Sequence, residues 1–157
     1  MLSAAVLCLV LRVADGDTLS AHCPTDLQGS GSPSAVKLRL AEIDAPEKGQ
    51  AFGQRSKRSL EQMCLGQWAQ VRASQTDRYG RWVAHVQCRG QNVNSAQVSS
   101  GMAWVYQAYA HDPHLLQLQE QAQTGSVGLW VDAHPTPPWE FRRQQRNSRA
   151  HRGPAPT

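Results

Sequence analysis

Apolar residues recur at two spacings along this chain, and the switches between them lay out its elements. Residues 8–14 and 17–23 are apolar-rich runs on either side of Asp15-Gly16. Asp-Gly favours a two-residue type I′ hairpin turn, in which both central residues take positive φ. With that pair central, facing positions sum to 31, so 14 faces 17, 12 faces 19 and Cys8 faces Cys23. A disulfide between the two cysteines fits a non-hydrogen-bonded cross-strand pair, the alternative being two thiols in register by chance. Residues 24–33 are a Gly/Ser/Pro loop. Val36-Lys37-Leu38-Arg39-Leu40 then alternates: Val36, Leu38 and Leu40 share one face of a third strand, while Lys37 and Arg39 point the other way. Pro46 keeps Ala45 extended and ends that run.

The spacing turns helical at Phe52, Ser56, Leu60, Met63 and Cys64, with Arg55, Lys57, Arg58 and Glu61 between them and Gly66 as the stop. Residues 68–73 and 82–88 read as strands four and five, joined by Asp77-Arg78-Tyr79-Gly80. Asn94 is expected to cap a short helix, with Gln97 three residues on and Val93 stapled to Val98. Asp112 caps a third helix that has Pro113 at its first position, a stripe of Leu115, Leu118 and Ala122, and Gly125 at its end. Five strands with a helix after the third predict an α+β fold, a five-stranded OB-type β-barrel with three helices. Trp68, Trp82, Trp104 and Trp130 are expected in its core. Beyond Trp130 the chain is rich in Pro and Arg and is expected to be largely disordered. The predicted organisation is therefore a domain over residues 1–131 and a tail over 132–157.

A length of 157 residues suits one such domain. The net charge of +4 would suit a nucleic-acid partner, but its distribution changes that inference. Residues 141–157 hold five Arg and no acid, which leaves eleven basic and twelve acidic residues in 1–140. The excess charge belongs to the tail, so any phosphate-binding surface must rest on local clusters. The four cysteines form no CxxC pair and no zinc spacing. With Cys8 and Cys23 paired, Cys64 and Cys88 are left for a second bridge. Residues 4–11 are apolar but far too short to span a membrane, and read as a buried strand rather than a signal sequence. An export signal upstream of the given start is expected, with a periplasmic or secreted protein, and the cytoplasm as the weaker alternative. Nothing in the pattern asks for a second copy, and a monomer is expected.

The candidate chemistry stands at strand ends. Asp15 and Asp17 lie at the first turn, Asp44 follows strand three, and Glu47 lies just beyond. Any one could be an ordinary turn aspartate. Together they offer hard oxygen donors suited to Ca²⁺ or Mg²⁺. Arg39 and Arg81 could be solvated edge arginines. They could equally grip a phosphate, since a guanidinium forks across two oxygens as lysine cannot. A metal site, two arginines and a spare glutamate make a kit for phosphoryl chemistry. His111 and His114 share a helical face but lack the further ligands zinc needs.

Four stretches in order carry a family likeness: Val13-Ala14-Asp15-Gly16-Asp17-Thr18; Leu38-Arg39-Leu40-Ala41-Glu42-Ile43-Asp44-Ala45-Pro46-Glu47; Thr76-Asp77-Arg78-Tyr79-Gly80-Arg81 with Val93-Asn94; and Gly101-Met102-Ala103-Trp104-Val105-Tyr106. Over residues 8–131 the chain resembles the staphylococcal nuclease (thermonuclease) family. The resemblance implies a Ca²⁺-dependent nuclease acting on DNA or RNA and leaving 3′-phosphate ends. By position, Asp17 and Asp44 resemble direct calcium ligands and Asp15 a water-mediated one. Ala45 stands where the family usually has threonine, and its backbone carbonyl is the expected ligand. Glu47 matches the proposed general base, Arg39 and Arg81 the phosphate-binding arginines. Arg78, Tyr79 and Tyr109 are expected at the substrate. The rival reading is a nucleic-acid-binding barrel without catalysis. Such a copy would be expected to lose several of Asp17, Arg39, Asp44, Glu47 and Arg81, and here all five are present. A protein-interaction barrel would rest on the tail alone.

Overall fold

A computed structural model describes residues 4–24, 31–151 and 153. Most of the loop expected over residues 24–33 lies outside the described residues. Strands β1 (Val6–Asp15), β2 (Thr18–Pro24) and β3 (Pro33–Leu40) form an antiparallel meander. A two-residue strand β4 (Ile43–Asp44), helix α1 (Gly53–Cys64), and strands β5 (Trp68–Thr76) and β6 (Trp82–Cys88) follow. β5 pairs with β1, β6 pairs with β5, and β6 returns parallel to β3, which closes a five-stranded barrel. The rest comprises β7 (Gln91–Asn92), α2 (Val93–Ser99), β8 (Trp104–Val105) against β4, α3 (Pro113–Thr124), a 3₁₀ turn (Gly128–Val131) and α4 (Pro138–His151).

The alternation that predicted the strands fills the barrel. Leu38 and Leu40 from β3, Ala69 and Val71 from β5, and Ala84 and Val86 from β6 are all buried, with Leu19 from β2 among them. Each large aliphatic group so placed contributes roughly 1.5–3 kcal/mol. Leu60 of α1 and Leu115 of α3 join this core. Trp82 is buried as expected, but Trp68 is 63 % exposed. It opens β5 on the outward phase of the alternation, where Ala69 faces in.

The first hairpin differs from its predicted form. Asp15 pairs with Thr18, so Gly16 and Asp17 make the turn, and neither adopts positive φ. Register shifts on β1, between Val10 and Arg12 and between Val13 and Asp15, then move the pairing by two. Leu9 consequently faces His22, and Cys8 returns to Cys23, to which it is bridged at a Cα–Cα distance of 4.5 Å. Bulges bend the strand and increase its twist, as a closing barrel needs. The second bridge, Cys64–Cys88, joins the end of α1 to the end of β6. Ala69 pairs with both Cys8 and Cys88, so both bridges staple the barrel end remote from Asp15.

Two glycines permit close approaches near that turn. A Cβ on Gly16 would lie 1.7 Å from Ser56 Oγ, and one on Gly53 would lie 2.0 Å from the Glu47 carbonyl oxygen. The start of α1 thus sits directly against the hairpin turn and the segment carrying Glu47. Phe52, expected on the helix stripe, precedes α1 with φ 67. At α2 the cap is Asn92, whose side chain accepts from Ser95 N, and not Asn94. Asn94 is buried inside the fold, where its amide bridges three backbone groups. Asp112 does cap α3, with Pro113 first. Residues 132–151, expected to be largely disordered, instead carry α4, a fourth helix. Trp139 of its first turn packs against Trp104 and Tyr106, which gives this polar segment an apolar anchor.

Candidate active site

Strand ends gather a cluster of acids and guanidinium groups on the barrel rim. Asp17 is drawn in by the turn geometry: its carboxylate accepts from Ala45 N at 2.7 Å and from Thr18 Oγ1 at 3.0 Å. Its backbone oxygen accepts from Leu40 N, which ties the turn to the end of β3. Asp44 is held by the β4–β8 pairing, opposite Trp104. Both carboxylates are buried, at 5 % and 1 % exposure. Arg39, on the outer face of β3 as its alternation required, places Nη2 3.5 Å from Asp17 Oδ2 and 3.5 Å from Asp44 Oδ1. Its Nη1 donates to Leu40 O, which fixes the fork. Asp15 Oδ1 accepts from Asp17 N at 3.0 Å.

The electrostatics differ among the three aspartates. Burial, then the neighbouring Asp17 charge, pushes the Asp15 carboxyl up to about 7. Burial opposes ionisation of Asp17 too, but Arg39 and hydrogen bonds from Asp15, Ala45 N and Thr18 outweigh it and hold Asp17 below its ordinary value. Asp44 is raised by burial, which bonds from Arg142 only partly offset.

Arg142 of α4 is the group that sequence reasoning missed. Its Nη2 donates to Asp44 Oδ2 at 2.7 Å, and Nη1 donates to Asp44 Oδ1 at 3.1 Å and to Glu47 Oε1 at 2.7 Å. No sequence signal links a tail arginine to an acid 98 residues away. Glu47 is half-buried beside the cluster, its backbone N–H donating to Gln50 Oε1.

Arg81 stands two residues before Val83, the parallel-strand neighbour of Arg39, so both arginines rise from the same outer face. Asp77 positions it: Oδ2 accepts from Arg81 Nε at 2.8 Å, while Oδ1 accepts from Tyr79 N and Arg81 N. Desolvation raises the Asp77 carboxyl, but these bonds and the Arg81 charge together outweigh it and keep Asp77 below its ordinary value. An aspartate four residues before an arginine in a tight turn was the available signal for this clamp. Arg78 and Arg81 lie over the exposed Tyr79 ring at 4.9 and 5.4 Å. Tyr109, also exposed, stacks on Tyr106 at 5.0 Å. Gln97 was legible only as a helix residue, yet it is buried and donates to Gly16 O at 2.7 Å, holding the aspartate turn from below.

Among the described residues no three His, Cys, Asp or Glu side chains form a metal-holding group. Asp17 and Asp44 are nevertheless two buried, all-oxygen donors already satisfied by positive charge on Arg39 and Arg142. A donor pair of that chemistry fits a hard divalent cation, with water completing its shell. The arrangement can neutralise and orient a phosphate beside a carboxylate able to take a proton.

One protein-family profile, "Staphylococcal nuclease homologue", matches residues 37–132. A Haemophilus influenzae protein named "Uncharacterized endonuclease" is 46 % identical over 139 residues, covering 88 % of this chain and 74 % of its own. A "Micrococcal nuclease" from Shigella flexneri is 34 % identical over 150 residues, covering 88 % and 82 %. An Oryza sativa protein, "Probable staphylococcal-like nuclease CAN1", is 40 % identical over 73 % of this chain and 34 % of its own.

Proposed function

Because the chain belongs to the staphylococcal nuclease family, we propose that it is a Ca²⁺-dependent endonuclease, a monomer hydrolysing phosphodiester bonds of DNA or RNA. The observation that carries this reading is the meeting of buried Asp17 and Asp44 at the Arg39 guanidinium, with Glu47 alongside. Asp17, Asp44 and the Ala45 carbonyl would hold Ca²⁺, with Asp15 acting through water. When bound there, Ca²⁺ supplies charge that neutralises the acids and polarises a phosphate oxygen.

Arg39 and Arg81 fork onto the non-bridging oxygens, where negative charge grows as phosphorus becomes five-coordinate. Asp77 holds Arg81 through its Nε. Glu47 takes the proton of the attacking water. The new bond joins water oxygen to phosphorus, the bond to the 5′ oxygen breaks, that oxygen takes a proton from solvent, and the products are a 3′-phosphate and a 5′-hydroxyl. Arg78 and Tyr79 present a cationic, aromatic surface to the flanking nucleotide, and Tyr109 a second aromatic face. Two disulfides suit an oxidising compartment such as the periplasm or the cell exterior.

Single-turnover cleavage of plasmid DNA and of RNA, in Ca²⁺ and then in excess chelator, tests the reading on wild type and Glu47→Gln. Cleavage is expected only with Ca²⁺, and Glu47→Gln should lower it by roughly 10²- to 10⁴-fold while nucleotide affinity holds. Full cleavage in chelator would overturn the metal assignment. Tight Ca²⁺-independent DNA binding without cleavage would replace the reading with that of a binding module.

A further inference from the structure

We propose that α4 is an internal plug: docking of Arg142 onto Asp44 and Glu47 and binding of a divalent cation at Asp44 exclude one another. The proposal rests on the cation site just described. Both oxygens of Asp44 are occupied by Arg142, through Nη1 and Nη2, and Oδ1 is also approached by Arg39. Three guanidinium N–H groups take three of the carboxylate's roughly four lone-pair sites, and the positive charge of Arg142 repels a cation approaching the fourth. The same Nη1 lies on Glu47 Oε1, one of the two oxygens through which this carboxylate could accept a proton from water. One side chain therefore engages the metal ligand and the base together.

The contact is built by more than a chance ion pair. Trp139 sets its ring against Trp104 at 5.6 Å and Tyr106 at 5.4 Å, and Trp104 is the strand partner of Asp44. The Thr136 carbonyl accepts from Gln50 Nε2 at 2.6 Å, just before α4 begins. Pro138 is buried. From the Trp139 anchor to Arg142 is three residues, about one helical turn, so docking of the ring aims the guanidinium at Asp44.

The plug is also built to leave. Beyond Arg142 the helix is exposed, and Pro138 is its one buried residue among those described. Arg142 itself keeps 35 % side-chain exposure. Such a contact is held by a single turn, so a competing cation can displace it without unfolding the barrel. If the plugged form makes up roughly 90–99 % of the cation-free protein, apparent affinity for Ca²⁺ is weakened by about 10- to 100-fold.

Calorimetric titration of Ca²⁺ into full-length wild type, Arg142→Ala and Trp139→Ala tests this. Circular dichroism melts establish that each variant is folded, and Arg142→Gln serves should the alanine variant not be. Trp139→Ala undocks the helix while leaving the Arg142 charge on the chain, which separates occupation of the site from simple repulsion. Both variants should bind Ca²⁺ about 10- to 100-fold more tightly than wild type. In wild type, Ca²⁺ should also speed trypsin cleavage after Arg142 and Arg143. Equal affinities in all three proteins would overturn the plug while leaving the Ca²⁺ site standing. So would a gain confined to Arg142→Ala with trypsin cleavage unmoved by Ca²⁺, which would make Arg142 only a nearby charge. No Ca²⁺ binding in any of the three would remove the cation site, and the plug with it.

Discussion

Replacing Asn94 with alanine should cost far more than removing a helix cap. The Asn94 amide accepts from Val86 N at 3.1 Å and donates to Ala41 O at 3.0 Å and Ala84 O at 3.1 Å, at 1 % exposure. Ala84 O keeps a second partner, since Ala41 N donates to it at 2.8 Å. Val86 N and Ala41 O lose this partner in a place shielded from water. Each buried group left without a partner costs about 1–3 kcal/mol, so the loss should be roughly 3–4 kcal/mol. Asn92→Ala, which removes the true cap of α2, should cost roughly 1 kcal/mol. Urea unfolding at 25 °C, with the slope against denaturant unchanged, measures both. Ala41 lies three residues before Asp44, so Asn94→Ala should also lower residual cleavage at temperatures where the variant is still folded. A stability loss for Asn94→Ala no greater than for Asn92→Ala would refute the bracket and return Asn94 to a surface role.

Arg39→Ala and Arg81→Ala should each lower turnover by about 10²-fold or more, and Arg81→Lys should recover little of it; wild-type rates in Arg81→Lys would end the forked-phosphate role. Without metal, stability should fall as pH rises from 5 to 8. Asp15 titrates near 7 in the folded state against its ordinary 3.8, so the folded protein binds that proton more tightly. The stabilisation is complete below the unfolded value and is lost as pH rises through 7, the part lost between pH 5 and 8 being roughly 2–3 kcal/mol. The upward shift of Asp44 acts in the same sense, whereas the contribution of Asp17, held low, is already complete by pH 5. Denaturation in chelator showing a flat or rising profile would contradict this assignment. Peptide mapping without reduction should recover Cys8 joined to Cys23, and a double alanine variant should lose about 3 kcal/mol for a loop of 15 residues; recovery of free thiols would exclude the bridge.

What the sequence determined by itself is what short spacings encode. Period-two alternation named the strand faces, so Leu38 and Leu40 were assigned inward and Arg39 outward before any packing was known. Helical spacing and end signals located α1 and α3, and Asp112 with Pro113 marked where α3 starts. The acids at strand ends were equally legible, because turns are local. The Cys8–Cys23 bridge followed from counting along a hairpin, yet the turn lies one residue further on and two bulges restore the count. Bulges answer to the curvature of a closed barrel, which no local window contains. Tertiary structure alone decided the parallel β3–β6 seam, the choice of Asn92 over Asn94 as cap, and the fate of the tail. Asn94 and Asn92 present the same amide to a propensity argument. Only the carbonyls of Ala41 and Ala84, brought beside Val86 N, make one a bracket. The Pro/Arg-rich tail has too little apolar surface to order itself, and α4 gains its anchor from Trp104 and Tyr106 and its charge partners from Asp44 and Glu47. Those partners lie far away along the chain and meet it only after the barrel has closed.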